Sequence, residues 1–338
     1  METRSNQPFE KLRKYRAIGS LLLILLGVTL TLPYDARADN ESGNIVEFDP
    51  SAEYGPELAG MGDGIPFPES IPGDEKVDIM HASVLGCLMA DGSMPPGFNY
   101  GGEYSPTIDD FGGTGHAVPV LSRIFNSKFY DEGIINVWCM DTSPNENFPS
   151  NHVEALISVF NYATEHGIDI VTMAKITGVP EDSCDNEELF QALGAFVDSG
   201  GIFMPSVSNW GPGSITCPSN LWTHHERPGV LPVGSIGPSG EKSGFSGSGG
   251  EDDDIMYWVG EGVQALDSVD GGYTRFTGTS MAVGEAATIV ARLWRLPQNS
   301  DKTNLEMVGM MRNEGKSSVP NIFLMAYPYR SFLPLVSK

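Results

Sequence analysis

Apolar positions along the chain recur at two periods, and the two alternate. Residues 77–80 read as a short strand. Beyond them the period lengthens: Val153, Leu156, Ile157, Phe160 and Ala163 form a helical stripe. Asn151 opens it with Glu154 three residues on, and Gly167 suits its end. The unbroken apolar run 168–174 predicts a buried strand. Leu189, Phe190, Leu193, Phe196 and Val197 mark a second amphipathic helix, closed by Gly200 and Gly201. Further apolar runs follow at 201–209 and 230–236. A last helix carries Ala286, Ile289, Val290, Leu293 and Trp294 and stops at Pro297. Strands alternating with helices in this way predict an α/β fold with a mainly parallel central sheet and helices on both faces. Ligands of such a sheet bind beyond the carboxyl ends of its strands. No internal repeat interrupts the pattern.

The N-terminal pattern is of another kind. Lys11, Arg13, Lys14 and Arg16 precede an apolar run at 18–32, and Ala36, Arg37 and Ala38 follow before Asp39. This is the layout of a cleavable signal peptide over residues 1–38, which predicts a secreted or periplasmic protein. The run is shorter than the roughly 20 residues of a spanning helix, and Gly19, Ser20 and Thr29 interrupt it. No membrane association is expected after cleavage. Residues 39–75, rich in Gly, Pro, Asp and Glu, read as an extended arm. Residues 76–338 are enough for one domain with one core.

The formal charge of −24 excludes two partner classes. A surface this acidic repels nucleic acid and anionic membranes. The acidic run 251–254 after the polar loop 243–250 reads as a solvated face, with a structural calcium as its other reading. Four cysteines in an oxidising compartment permit disulfides. Cys184 and Cys217 flank one predicted helix–strand unit and form the better pair. Cys139, inside the apolar run 134–140, reads as an ordinary buried thiol. No Cys or His spacing suggests a metal site, and the pattern carries no signal of oligomeric state.

The sharpest chemical signal is Gly278-Thr279-Ser280-Met281-Ala282, with the last helix starting at once. A serine in a first helical turn lies beside unpaired backbone N–H groups and the positive end of the helix dipole. An oxyanion forming on an acyl substrate would be held there. A second signal is Gly112-Gly113-Thr114-Gly115-His116, a glycine-rich loop running into a helix with Leu121, Ile124 and Phe125 on its apolar side. Pro119 is tolerated in that first turn. A histidine at such a junction is open enough to serve as a general base.

At these residues the chain resembles the subtilisin-like serine proteases, whose nucleophile motif is Gly-Thr-Ser-Met-Ala, a variable residue and Pro. Here Val283 takes the variable place and Gly284 replaces the Pro. Residues 233–249 and 258–262 are similar to the family's segments before the serine. Ser208-Asn209-Trp210-Gly211 resembles the strand end that supplies a side-chain oxyanion donor. The resemblance implies a subtilisin-like fold and an endopeptidase acting on a peptide or protein substrate. Ser280 would be its nucleophile, His116 its base and Asn209 its oxyanion donor, with no cofactor required.

The family orders its triad Asp, His, Ser, and the first member departs from the pattern. His81 falls where the strand starting at Val77 should end in Asp. Asp78 points to the opposite face of that strand. A second register places the acid at Asp91, at the end of residues 87–91. Loss of the Asp costs about 10⁴-fold in kcat. Residues 172–178 also replace the family's substrate-binding edge, where peptides pair through main-chain hydrogen bonds. Two functions therefore follow: a secreted serine endopeptidase, or a catalytically impaired pseudoprotease binding a peptide or protein partner in the same cleft.

Overall fold

The computed structural model describes residues 76–83, 87, 116–142, 152–174, 184–223, 226–248, 254–269, 271–315 and 325. The signal peptide, the extended arm, Asn151 and Asp91 lie outside them.

Strand β1 (Val77–Ser83) is followed by helix α1 (Ala117–Phe125), β2 (Ile135–Asp141), α2 (His152–His166), β3 (Ile170–Met173), α3 (Glu187–Asp198) and β4 (Ile202–Pro205). The four strands form one parallel sheet in the order β2-β1-β3-β4. After the short α4 (Asn220–Thr223), β5 (Val233–Ile236) and β6 (Met256–Val259) make a second parallel pair. Parallel bridges Phe203–Val230 and Ser206–Val233 join β4 and its continuation to the segment leading into β5. An antiparallel hairpin, β7 (Val263–Leu266) and β8 (Tyr273–Phe276), leads into α5 (Thr279–Trp294). Helix α6 (Asn304–Gly315) follows.

Strand alternation explains how the sheet is covered. Val77 and Ile79 of β1, Ile170 of β3, and Ile202 and Met204 of β4 turn to one face. They pack there with Val120, Leu121 and Ile124 of α1 and the apolar residues of α5. Met80, Ala82, Val171, Met173 and Phe203 turn to the other face, against α2 and α3. Phe160, Phe196 and Phe203 meet there, with ring centroids 5.8 and 4.9 Å apart. Burying each such ring contributes about 2–3 kcal/mol.

The helix limits follow local chemistry. Asn186 caps α3 by accepting the Leu189 N–H at 2.9 Å. Gly167 ends α2 at φ +66°, where a side chain would be strained. The stripe predicted for α2 is the buried one, except that Ile157 is only partly covered.

The cysteines correct one expectation. Cys184–Cys217 is bonded, but Cys139 is not a free thiol: it pairs with Cys87. Its place on β2, facing the α1 side, brings it within 6.0 Å Cα–Cα of Cys87. Sequence spacing alone cannot show that approach. The Cys87–Cys139 loop encloses α1, and closing 52 residues restricts the unfolded chain by about 4 kcal/mol. Two disulfides suit an extracellular protein.

Candidate active site

Strand order places the opening. From β1 the chain crosses to β2 on one side, and from β3 it crosses to β4 on the other. The carboxyl ends of neighbouring strands β1 and β3 thus flank a topological switch point, where open α/β sheets bind ligands. His81 stands near the end of β1, in register with Thr172 of β3, and Ala174 follows β3 directly.

Ser280 lies in the first turn of α5, a helix buried from Thr279 through Leu293. The residue is 5% exposed, and its hydroxyl donates to the Ala174 carbonyl at 2.6 Å. Asn209 is tied to the same turn. Its Oδ1 accepts the Thr279 N–H at 2.9 Å and lies 2.9 Å from the Thr279 hydroxyl, which also reaches the Val207 carbonyl at 2.5 Å. A backbone N–H can only donate, so the amide oxygen must face Thr279. Nδ2 then lies 3.3 Å from where a Cβ on Gly278 would stand. Glycine at 278 keeps a side chain from crowding that N–H₂ group.

His116 is the N-cap residue of α1 and is half-buried. Helix α1 reaches α5 at Gly284, where an added Cβ would stand 2.5 Å from the Val120 carbonyl oxygen. The family's Pro at this position is replaced by the one residue that permits such an approach. A fully buried ion pair ties the helices together: Arg123 of α1 meets Glu285 of α5 at 2.5 Å. Arg123 also donates to the Gln264 carbonyl at 3.2 Å, and Glu285 accepts from the Ser127 hydroxyl at 3.3 Å.

His81 is fully buried on the α1 and α5 side of the sheet, the face opposite Asp78. Asp78 instead accepts the Trp138 indole N–H at 2.8 Å. The Nδ1 of His81 is 2.9 Å from the Thr172 hydroxyl oxygen. Burial first, and then the His116 imidazole, push the His81 pKa down to about 3, so it is neutral at physiological pH.

The structure thus ties Asn209 to Thr279, the residue before Ser280, and sets the His116 imidazole near enough to His81 to help lower its pKa; no contact between His116 and Ser280 is seen among the described residues. The sequence reading missed Thr172 as the partner of His81, Ala174 as the acceptor for Ser280, and the Arg123–Glu285 pair. Only Thr172 left a trace, as a polar residue inside an apolar strand run. Among the described residues no group of three or more His, Cys, Asp or Glu is placed to hold a metal ion. Among them, too, no helix is long and apolar enough to cross a membrane.

The fold has solved counterparts. A prenylagaramide maturation protease, PagA, superposes with a TM-score of 0.57 at 17% identity, covering 76% of this chain and 98% of that one. The self-cleaved protease domain of PatA gives 0.56 at 16%, covering 76% and 99%. A cold-adapted subtilisin-like serine proteinase gives 0.54 at 19%, covering 73% and 86%. No curated protein matches the sequence. The subtilase family model matches residues 143–323, a stretch holding both Asn209 and Ser280. That match takes in more than half of the chain, and the protein therefore belongs to the subtilase family of serine peptidases.

Proposed function

We propose that the chain is a secreted serine endopeptidase that cuts peptide bonds with Ser280 as nucleophile and His116 as general base. The carrying observation is the pair of contacts from Thr279 to Asn209 Oδ1. They fix the amide so that Nδ2 stands beside Gly278, where a tetrahedral oxyanion on a substrate attacked by Ser280 would form. With a first-turn backbone N–H of α5, that donor completes an oxyanion hole. His116 takes the hydroxyl proton as the Ser280 Oγ–carbonyl bond forms, then gives it to the departing amine. The acyl group left on Ser280 is released by water through the same base. To begin, Ser280 must turn its hydroxyl away from Ala174, a rotamer change about one bond.

A second reading is favoured by that same Ser280–Ala174 hydrogen bond. A hydroxyl committed to a carbonyl at 2.6 Å is parked, as in a cleft that binds peptide without cutting it. A fluorophosphonate probe separates the two. The endopeptidase reading expects covalent labelling of the wild type and none of Ser280→Ala. Equal, background labelling of both would leave only the binding cleft.

A further inference from the structure

We infer that Ser206 is a positioning residue for the nucleophile: its hydroxyl shares the Ala174 carbonyl with Ser280 and so sets how readily Ser280 leaves its resting contact. The inference rests on the proposed peptidase reading and names a group that governs its first step.

Ala174 follows β3 directly and is only 3% exposed, so its carbonyl has little water to turn to. A carbonyl oxygen carries two lone pairs. Among the described residues two hydroxyls donate to this one, Ser280 at 2.6 Å and Ser206 at 2.8 Å. The two donors are held differently. Ser206 is the first residue after β4 and is 1% exposed. Its N–H donates to the Met173 carbonyl at 2.8 Å, and its own carbonyl accepts the Ser219 hydroxyl at 2.6 Å. A parallel bridge also joins it to Val233. With the main chain tied on both sides, the Ser206 hydroxyl keeps the Ala174 carbonyl as its acceptor. Ser280 stands in the first turn of α5 and leaves the same carbonyl by rotation about one bond.

The sharing has an energetic consequence. Ser280 can attack a substrate only after it has left Ala174. A buried acceptor stripped of its donors bears the full desolvation penalty, whereas one that keeps a donor does not. With Ser206 in place, the departure of Ser280 leaves the Ala174 carbonyl bonded. Without the Ser206 hydroxyl, the same departure would orphan that carbonyl, and Ser280 would be retained as its remaining donor. The serine at 206 therefore loosens the resting contact. No proton is transferred and no covalent bond changes in this step, since only the Ser280 rotamer shifts.

The test compares wild type, Ser206→Ala, Ser280→Ala and the double variant. A fluorophosphonate without N–H groups cannot itself satisfy Ala174, so its labelling rate reads the release of Ser280. Ser206→Ala should slow that labelling by about 10-fold. On a peptide substrate it should lower kcat by a similar factor, with little change in KM. Urea unfolding reads the shared carbonyl without any turnover. Each single variant leaves the carbonyl one of the two hydroxyls, and the double variant leaves it neither. The folding equilibrium constant of the double variant should therefore lie about 10-fold below the value the two singles predict. A labelled wild type whose rate survives Ser206→Ala, or four stabilities that simply add, overturns this inference and leaves the peptidase reading standing. An unlabelled wild type overturns the peptidase reading, and the role of Ser206 with it.

Discussion

Removing Glu285 alone should be among the most damaging single changes in the core. Its carboxylate and the Arg123 guanidinium are 2% and 1% exposed, so solvent screens neither charge. In Glu285→Leu the guanidinium stays buried with the Gln264 carbonyl as a neutral partner, and in Arg123→Met the carboxylate stays buried with the Ser127 hydroxyl. Breaking one side of such a pair costs about 3–5 kcal/mol, because an uncompensated charge is left inside. That is a large share of the roughly 5–15 kcal/mol of a typical domain. The double variant removes both charges and leaves two apolar side chains of fitting size, and it should return to within about 1 kcal/mol of the wild type. Urea unfolding with the disulfides intact, followed by fluorescence and circular dichroism together, gives the four free energies of the cycle. Single losses below about 1 kcal/mol that simply add in the double variant would show that the pair is not coupled.

Two further outcomes are expected. Gly284→Ala should cost about 1–3 kcal/mol from overpacking against Val120, less the helix propensity it gains, and should lower kcat by about 10²-fold as His116 is displaced; thermal melts and peptide hydrolysis check both, and an unchanged kcat would refute the positional argument. Stability should also fall as pH drops, because His81 binds a proton in the unfolded chain below about 6.5 but in the folded one only near 3. The unfolded state therefore holds more protons across that window, and His81→Phe should flatten this part of the urea-midpoint curve.

Much of the scaffold was legible because each element declares itself locally. The stripe of α2, the closing glycines of α3 and the buried runs of β3 and β4 are periodic facts within a dozen residues. The place of Ser280 in the first turn of α5 was legible for the same reason, since the motif runs straight into the helix period. What escaped depends on distance along the chain. Glu285 reads as the polar side of a helix, yet α5 is buried on every side, and its partner is 162 residues earlier. Cys139 reads as a core thiol because the approach of Cys87 is made by the fold. Thr172 acquires its role only when β3 pairs with β1 and sets it beside His81, 91 residues away.

The geometry around Gly284 explains why a helix contact, and not a loop, sets the relation of the proposed base to the proposed nucleophile. Val120 lies four residues after His116 on α1, and Gly284 lies four residues after Ser280 on α5. At about 1.5 Å per residue, each reactive side chain stands roughly 6 Å, one turn, from the point where the helices touch. A lever so short transmits a shift at the contact almost undiminished to both ends. Proline at 284 would hold α1 farther off. Glycine lets it settle closer, and the Arg123–Glu285 pair locks it there from one residue beyond Gly284 on α5.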